Sequence, residues 1–88
     1  MKVTSTKHFE KHLKNCPADI QKRFVIVYDR MVKAKKLSEI QSLEKLSGYS
    51  TFYRVRIGNY RLGFDLIEGE QIELLAILHR KEIYRFFP

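Results

Sequence analysis

The sequence predicts an α+β fold: a helical hairpin packed on one face of a small antiparallel β-sheet, in the order β-α-α-β-β-β with a short C-terminal helix. Three observations carry that expectation. Ile20, Phe24, Val27, Tyr28, Met31 and Val32 recur at helical spacing. Residues 53–66 alternate apolar and polar side chains on either side of Gly58-Asn59, the pattern of a tight β-hairpin. Beyond Glu68-Gly69-Glu70, residues 71–78 supply a third apolar strand.

Taken in order, Met1 to Thr4 fits a short edge strand. Ser5 or Thr6 can accept from the free amides of a first helix over about Lys7 to Asn15, where Phe9, Leu13 and Cys16 make a narrow apolar stripe. Pro17 suits the first position of the second helix, because the N–H it lacks has no partner there. Asp19 favours the positive end of that helix dipole, and Lys33, Lys35 and Lys36 crowd its negative end, so the helix is expected to run to about Lys36. The short link between the two helices makes them antiparallel neighbours. Residues 37–50 read as irregular chain, with Ile40, Leu43 and Leu46 as an apolar patch and Ser47-Gly48 closing it. Lys81 to Phe87 can form a brief helical tail, ended by Pro88.

The hairpin holds the functional expectation. A two-residue turn at Gly58-Asn59 sets Ile57 against Tyr60, Val55 against Leu62 and Arg56 against Arg61. Tyr53, Val55, Leu62 and Phe64 then face the helices, while Arg54, Arg56 and Arg61 share the other face. Like charges opposed across a ladder are destabilising, so that face is expected to hold an anion. Gly63, opposite Arg54, leaves the face without a side chain where a ligand backbone could approach. A three-residue loop brings Phe64 against Leu74. In that register Ile72, Leu74, Ala76 and Leu78 face the core, Arg61 lies opposite Ile77, and His79 sits at the same end of the sheet.

Composition narrows the class. Eighty-eight residues suffice for one domain, expected to span 1–88, and an apolar share of 44% can build a core for it. A net charge of +7 favours nucleic acid or an acidic protein as partner. No apolar run approaches a membrane span and no signal-peptide segment is evident, so a cytoplasmic protein without membrane contact is expected. The lone Cys16 has no disulfide partner and reads as a buried small residue or a cap. His8 and His12 stand four apart on a helix without a third ligand in view, and Asp65, Glu68, Glu70, Glu73 and Glu82 form no carboxylate cluster. Neither a metal nor another cofactor is expected.

Two segments, Tyr53-Arg-Val-Arg-Ile-Gly-Asn-Tyr-Arg61 and His79-Arg80-Lys-Glu-Ile-Tyr84-Arg85, resemble in order and spacing the RelE/ParE superfamily of bacterial and archaeal toxins. The resemblance covers nearly the whole chain. It implies a RelE-like fold and the toxin half of a toxin–antitoxin system. RelE-type members cut messenger RNA in the ribosomal A site; ParE-type members share the fold and poison DNA gyrase. For the RNA-cleaving branch, the resemblance places the phosphate-contacting basic pair on Arg54 and Arg56. The remaining site residues fall on Arg61, Arg80 and Tyr84. The best-known RNA-cleaving members carry lysines where this chain has Arg54 and Arg56.

Metal-free RNA cleavage uses the 2′-hydroxyl against its own phosphate, and needs a proton acceptor, donors for the phosphorane and help for the departing 5′-oxygen. Arg61 and Arg80, with Tyr84, are the expected catalytic groups; Arg54, Arg56, Lys45 and His79 are the expected RNA and phosphate contacts. Tyr84 and His79 are both candidates for the acceptor, and Tyr84 can instead stack on a base. The implied function is ribosome-dependent mRNA cleavage that stops translation. The alternatives are a non-enzymatic gyrase inhibitor and an inactive member acting through antitoxin and operator binding alone. The implied partners are an acidic antitoxin, the ribosome with its mRNA, and operator DNA only through the antitoxin complex.

Overall fold

The computed structural model describes residues 1–87. The chain runs β1 (Lys2–Ser5), α1 (Lys7–Lys14), α2 (Ala18–Lys33), a 3-10 turn (Leu37–Glu39), β2 (Leu43–Lys45), β3 (Phe52–Ile57), β4 (Tyr60–Ile67), β5 (Gln71–His79) and α3 (Ile83–Phe86). The five strands form one sheet in the order β1-β5-β4-β3-β2. β1 runs parallel to β5 at one edge; the other pairs are antiparallel.

The β3–β4 hairpin forms as its alternation demands. Gly58 is left-handed (φ 58°) and Asn59 is not, which is the geometry of a type II′ turn whose twist matches the strands. Ile57 pairs with Tyr60, Val55 with Leu62 and Arg56 with Arg61. The apolar side of the sheet meets α1 and α2 in a core that includes Phe9, Phe24, Met31, Leu62 and Phe64. The Phe9 and Phe24 rings lie 5.3 Å apart, and Tyr53 stacks on Phe64 at 5.5 Å. Burying one such side chain contributes about 1.5–3 kcal/mol, against tenths of a kcal/mol for helix propensity. That imbalance is why apolar spacing alone locates α2.

The helix ends depart from expectation in instructive ways. Thr6 rather than Ser5 caps α1, its hydroxyl accepting from the Phe9 amide at 3.2 Å. Pro17 stands one residue before α2. Gln21 closes the link, its side-chain amide donating to the carbonyls of Leu13 (2.9 Å) and Cys16 (3.2 Å). α2 stops at Lys33, short of Lys36. Lys33 lies in its last turn as expected, and the N-terminal ammonium joins it there, donating to the carbonyls of Met31, Val32 and Ala34 at 3.0, 2.8 and 2.7 Å. Lys35 and Lys36 lie beyond the helix, where their amides donate to Glu39 and hold its carboxyl below the usual range. Cys16 is buried with its thiol pushed up by desolvation, as a small core residue.

Three features of the sheet correct the sequence reading. Residues 43–45 are a strand, not irregular chain, and pair with β3 so that Glu44 lies opposite Arg54. Phe64 does face Leu74, but Leu75 is an extra residue in β5 and shifts the register beyond it by one. Arg61 therefore faces Leu78 rather than Ile77, and Ile77 enters the main core while Ala76 and Leu78 turn to the opposite face. That opposite face is not a bare bed of arginines. Leu46, Ala76, Ile83 and Phe87 are buried there as a second cluster under α3. The Phe87 ring covers Gly63 so closely that a Cβ there would lie 2.7 Å from it, so the gap left by Gly63 is filled by the chain's own tail. Pro88, expected to end that tail, lies outside the described residues.

α3 also reaches α1, where His12 meets Phe86 edge-on with ring centroids 6.0 Å apart. His12 Nδ1 is buried without a partner among the described residues, and burial, then repulsion from His8 and Lys11, lowers its pKa from the ordinary value. A histidine whose folded pKa lies below its unfolded one binds protons more readily when unfolded. Its stabilising contribution is complete above about pH 6.5 and is lost as the pH falls below that value. The melting temperature should drop from about pH 7 to about pH 5, and drop less in His12→Gln. An identical pH profile for both proteins would remove His12 from the explanation.

Candidate functional site

Strand alternation decides which side chains share the arginine face. One row across the sheet runs Glu44, Arg54, Gly63, Ala76, and the next runs Arg56, Arg61, Leu78. Rows on one face lie about 7 Å apart along the strands, and neighbouring strands about 4.8 Å apart. Arg54, Arg56 and Arg61 thus spring from neighbouring positions on one face.

Each arginine is held differently. The Arg54 side chain is only 19% exposed, with Nη2 donating to Glu44 Oε2 at 3.5 Å and Cζ 5.2 Å from the centre of the Tyr84 ring. Its Nε is buried and has no hydrogen-bond partner among the described residues. An unsatisfied buried donor costs about 1–3 kcal/mol, and more when charged, a cost that the contacts with Glu44 and Tyr84 only partly offset. Arg61 folds back over the hairpin turn, Nη1 donating to the carbonyls of Gly58 (3.0 Å) and Tyr60 (2.9 Å). Arg56 is exposed and forms no ion pair among the described residues.

Arg80 is brought to the same end of the hairpin by its backbone, whose amide donates to the Asn59 carbonyl at 2.7 Å; its side chain is exposed. Tyr84 hangs from α3 over Arg54 and is 73% exposed. The docking of Ile83 and Phe87 therefore sets where the Tyr84 hydroxyl stands.

Two of the expected contacts lie elsewhere. Lys45 pairs with Tyr53, whose ring belongs to the helix side of the sheet, so alternation turns Lys45 away from the arginines. His79 pairs with Tyr60 and meets its ring edge-on at 5.5 Å, in a pocket shared with His12 of α1 and Cys16 of the link that follows it. Its Nδ1 accepts from the Lys81 amide at 3.2 Å. The sheet stands between His79 and the arginine cluster. In their place the fold contributes Glu44, which the sequence reading did not weigh. A three-residue strand has no legible periodicity, and only its pairing with β3 puts Glu44 beside Arg54.

Chemically, this face can grip an anion with several oxygens and stabilise added charge on it. Planar guanidinium groups match phosphate oxygens two at a time. No group of three or more His, Cys, Asp or Glu among the described residues is placed to hold a metal ion.

A helical hairpin on a five-stranded sheet, with Arg54 beneath the ring of a C-terminal tyrosine, is the build of a small α+β toxin of the RelE/ParE kind. The chain belongs to the RelE/ParE toxin superfamily of type II toxin–antitoxin systems: residues 3–84 match the family described as ParE toxin of type II toxin-antitoxin system, parDE. Toxin RelE3 of Methanocaldococcus jannaschii is 38% identical over 89 aligned positions that cover all of both chains. The RelB-RelE antitoxin-toxin complex from Methanococcus jannaschii contains a chain with TM-score 0.83 and 35% identity, covering 97% of this chain and 99% of that one. An archaeal RelE-RelB complex from Pyrococcus horikoshii gives TM-score 0.72 at 26% identity, covering 90% and 93%. The fold expected from the sequence is thus the one these toxins share.

Proposed function

We propose that this toxin stops translation by cutting ribosome-bound messenger RNA through attack of the 2′-hydroxyl on its own phosphate. The observation that carries the reading is the half-buried Arg54 beneath the Tyr84 ring, one row from the opposed Arg56–Arg61 pair. Arg54 and Arg56 hold the phosphate. Arg61 and Arg80 meet the charge that develops on it, and one such preorganised donor is worth about 2.7–4 kcal/mol of barrier. The Tyr84 hydroxyl faces the departing 5′-oxygen. The site is an open sheet face that cannot bend RNA into line by itself, so the ribosome supplies the in-line geometry. Lys45 and His79 stay outside this mechanism.

An acidic antitoxin holds the toxin in check, as RelB accompanies RelE in the two archaeal complexes. α2 exposes Val25, Ile26, Tyr28 and Val32 beside a groove rimmed by Arg23, Arg30 and Arg56, a surface that suits an acidic amphipathic segment. Operator DNA is reached only through that complex.

Induction in cells, with separate readouts of protein synthesis and DNA supercoiling, tests the reading. Translation should stop, new mRNA ends should appear within ribosomes, and the purified protein alone should cut free RNA poorly. Continued translation with accumulating cleaved gyrase–DNA complexes would replace it with the gyrase-directed reading. Two observations favour that second reading: the ParE description of the matched family, and arginines at 54 and 56, which stay protonated and cannot serve as bases.

A further inference from the structure

We propose that Glu44 is the proton acceptor for the 2′-hydroxyl. The inference rests on the RNA-cleaving reading above and supplies the group that reading lacks. Arginines keep their protons. His79 is on the far side of the sheet, and Tyr84 is already engaged as the proton donor to the departing oxygen. Glu44 is the one carboxylate, among the described residues, in contact with an arginine of the face. Asp65 and Glu73 share the face one row further on, in line with Phe52, and neither makes an ion pair with an arginine among the described residues.

The contact itself argues against a purely structural pair. Arginine–carboxylate pairs that fix a side chain are commonly bidentate with N···O of about 2.7–2.9 Å. Here a single oxygen engages Nη2 at 3.5 Å, the other oxygen is unused by Arg54, and the Glu44 side chain is 45% exposed on an edge strand. Glu44 is oriented toward the cluster yet left with accepting capacity. A phosphate seated among Arg54, Arg56 and Arg61 would have Glu44 on its β2 side, while Tyr84 stands over Arg54 from α3. In-line displacement needs the attacking and departing oxygens on opposite sides of phosphorus, and these two groups approach from different sides.

The step then balances. Glu44 takes the proton from O2′ as the O2′–P bond forms and the P–O5′ bond breaks. O5′ leaves with a proton from the Tyr84 hydroxyl, which is restored from water. The products are a 2′,3′-cyclic phosphate and a free 5′-hydroxyl, with no change in oxidation state. Glu44 afterwards returns its proton to solvent.

Single-turnover cleavage of mRNA on programmed ribosomes tests this. Glu44→Gln should cut about 10²–10⁴-fold more slowly, while binding the programmed ribosome at least as tightly, because a negative charge beside the phosphate is gone. Glu44→Asp should keep part of the rate. Glu44→Ala should regain rate in proportion to added acetate or formate, and should lack the acid limb of the parent's pH–rate profile. Rescue by a free carboxylate separates proton transfer from anchoring of Arg54. Cleavage by Glu44→Gln at the parent rate overturns the proposal. So does a loss, in a variant with the parent's melting temperature, that no added carboxylate restores. A parent that cuts nothing on the ribosome defeats the RNA-cleaving reading itself, and that failure is seen before any variant is compared.

Discussion

Arg61→Gln should abolish growth inhibition while leaving the protein folded. Two effects on stability oppose each other. The substitution relieves the like-charge pair with Arg56, worth tenths of a kcal/mol. It also removes the bonds from Nη1 to the Gly58 and Tyr60 carbonyls, which are partly solvent-exposed and so of small net value. The melting temperature should therefore stay within the change expected for about 0.5 kcal/mol. Activity has no such compensation. In the proposed mechanism the guanidinium meets developing phosphorane charge, a contribution of about 10²–10³ in rate that glutamine cannot carry. The check is growth arrest on induction at matched expression, alongside a thermal melt of each protein. Full toxicity in both Arg61→Gln and Tyr84→Phe, at expression equal to the parent, would take the sheet face out of the mechanism.

Gly63→Ala should be strongly destabilising and should weaken toxicity from a position that touches no substrate. The new methyl would stand 2.7 Å from the Phe87 ring, and the backbone of β4 is held between β3 and β5 and cannot give way. The ring must move, and α3, anchored by Ile83 and Phe87, moves with it. Overpacking of this kind costs about 1–3 kcal/mol, and each kcal/mol lowers the melting temperature of a domain this size by about 4–8 °C. Displacing α3 also carries Tyr84 off Arg54. Combining Gly63→Ala with Phe87→Leu should cost less than the sum of the two single changes, because the smaller side chain makes room. Strictly additive losses would show that the two positions do not share the space.

Much of this protein was determined by the order of its residues. The apolar spacing of α2, the alternation through residues 53–66 and the glycine at the first turn position sufficed for the helical hairpin and the register that opposes Arg56 to Arg61. So did the two motif segments that pointed to the superfamily. These are effects between near neighbours in the chain: side-chain period, turn geometry and caps.

The tertiary structure alone decided the rest. The bulge at Leu75 reassigns Ala76, Ile77 and Leu78 to new faces, because one extra residue inverts every side chain beyond it. β2 exists only against β3, and its pairing turns Glu44 toward the arginines and Lys45 away. The notch at Gly63, legible as an open place on a strand, is closed by Phe87 from the far end of the chain. In each case the outcome follows from which apolar groups, distant in sequence, exclude water together. Burial of that kind has no direction along the chain, so no local pattern records it.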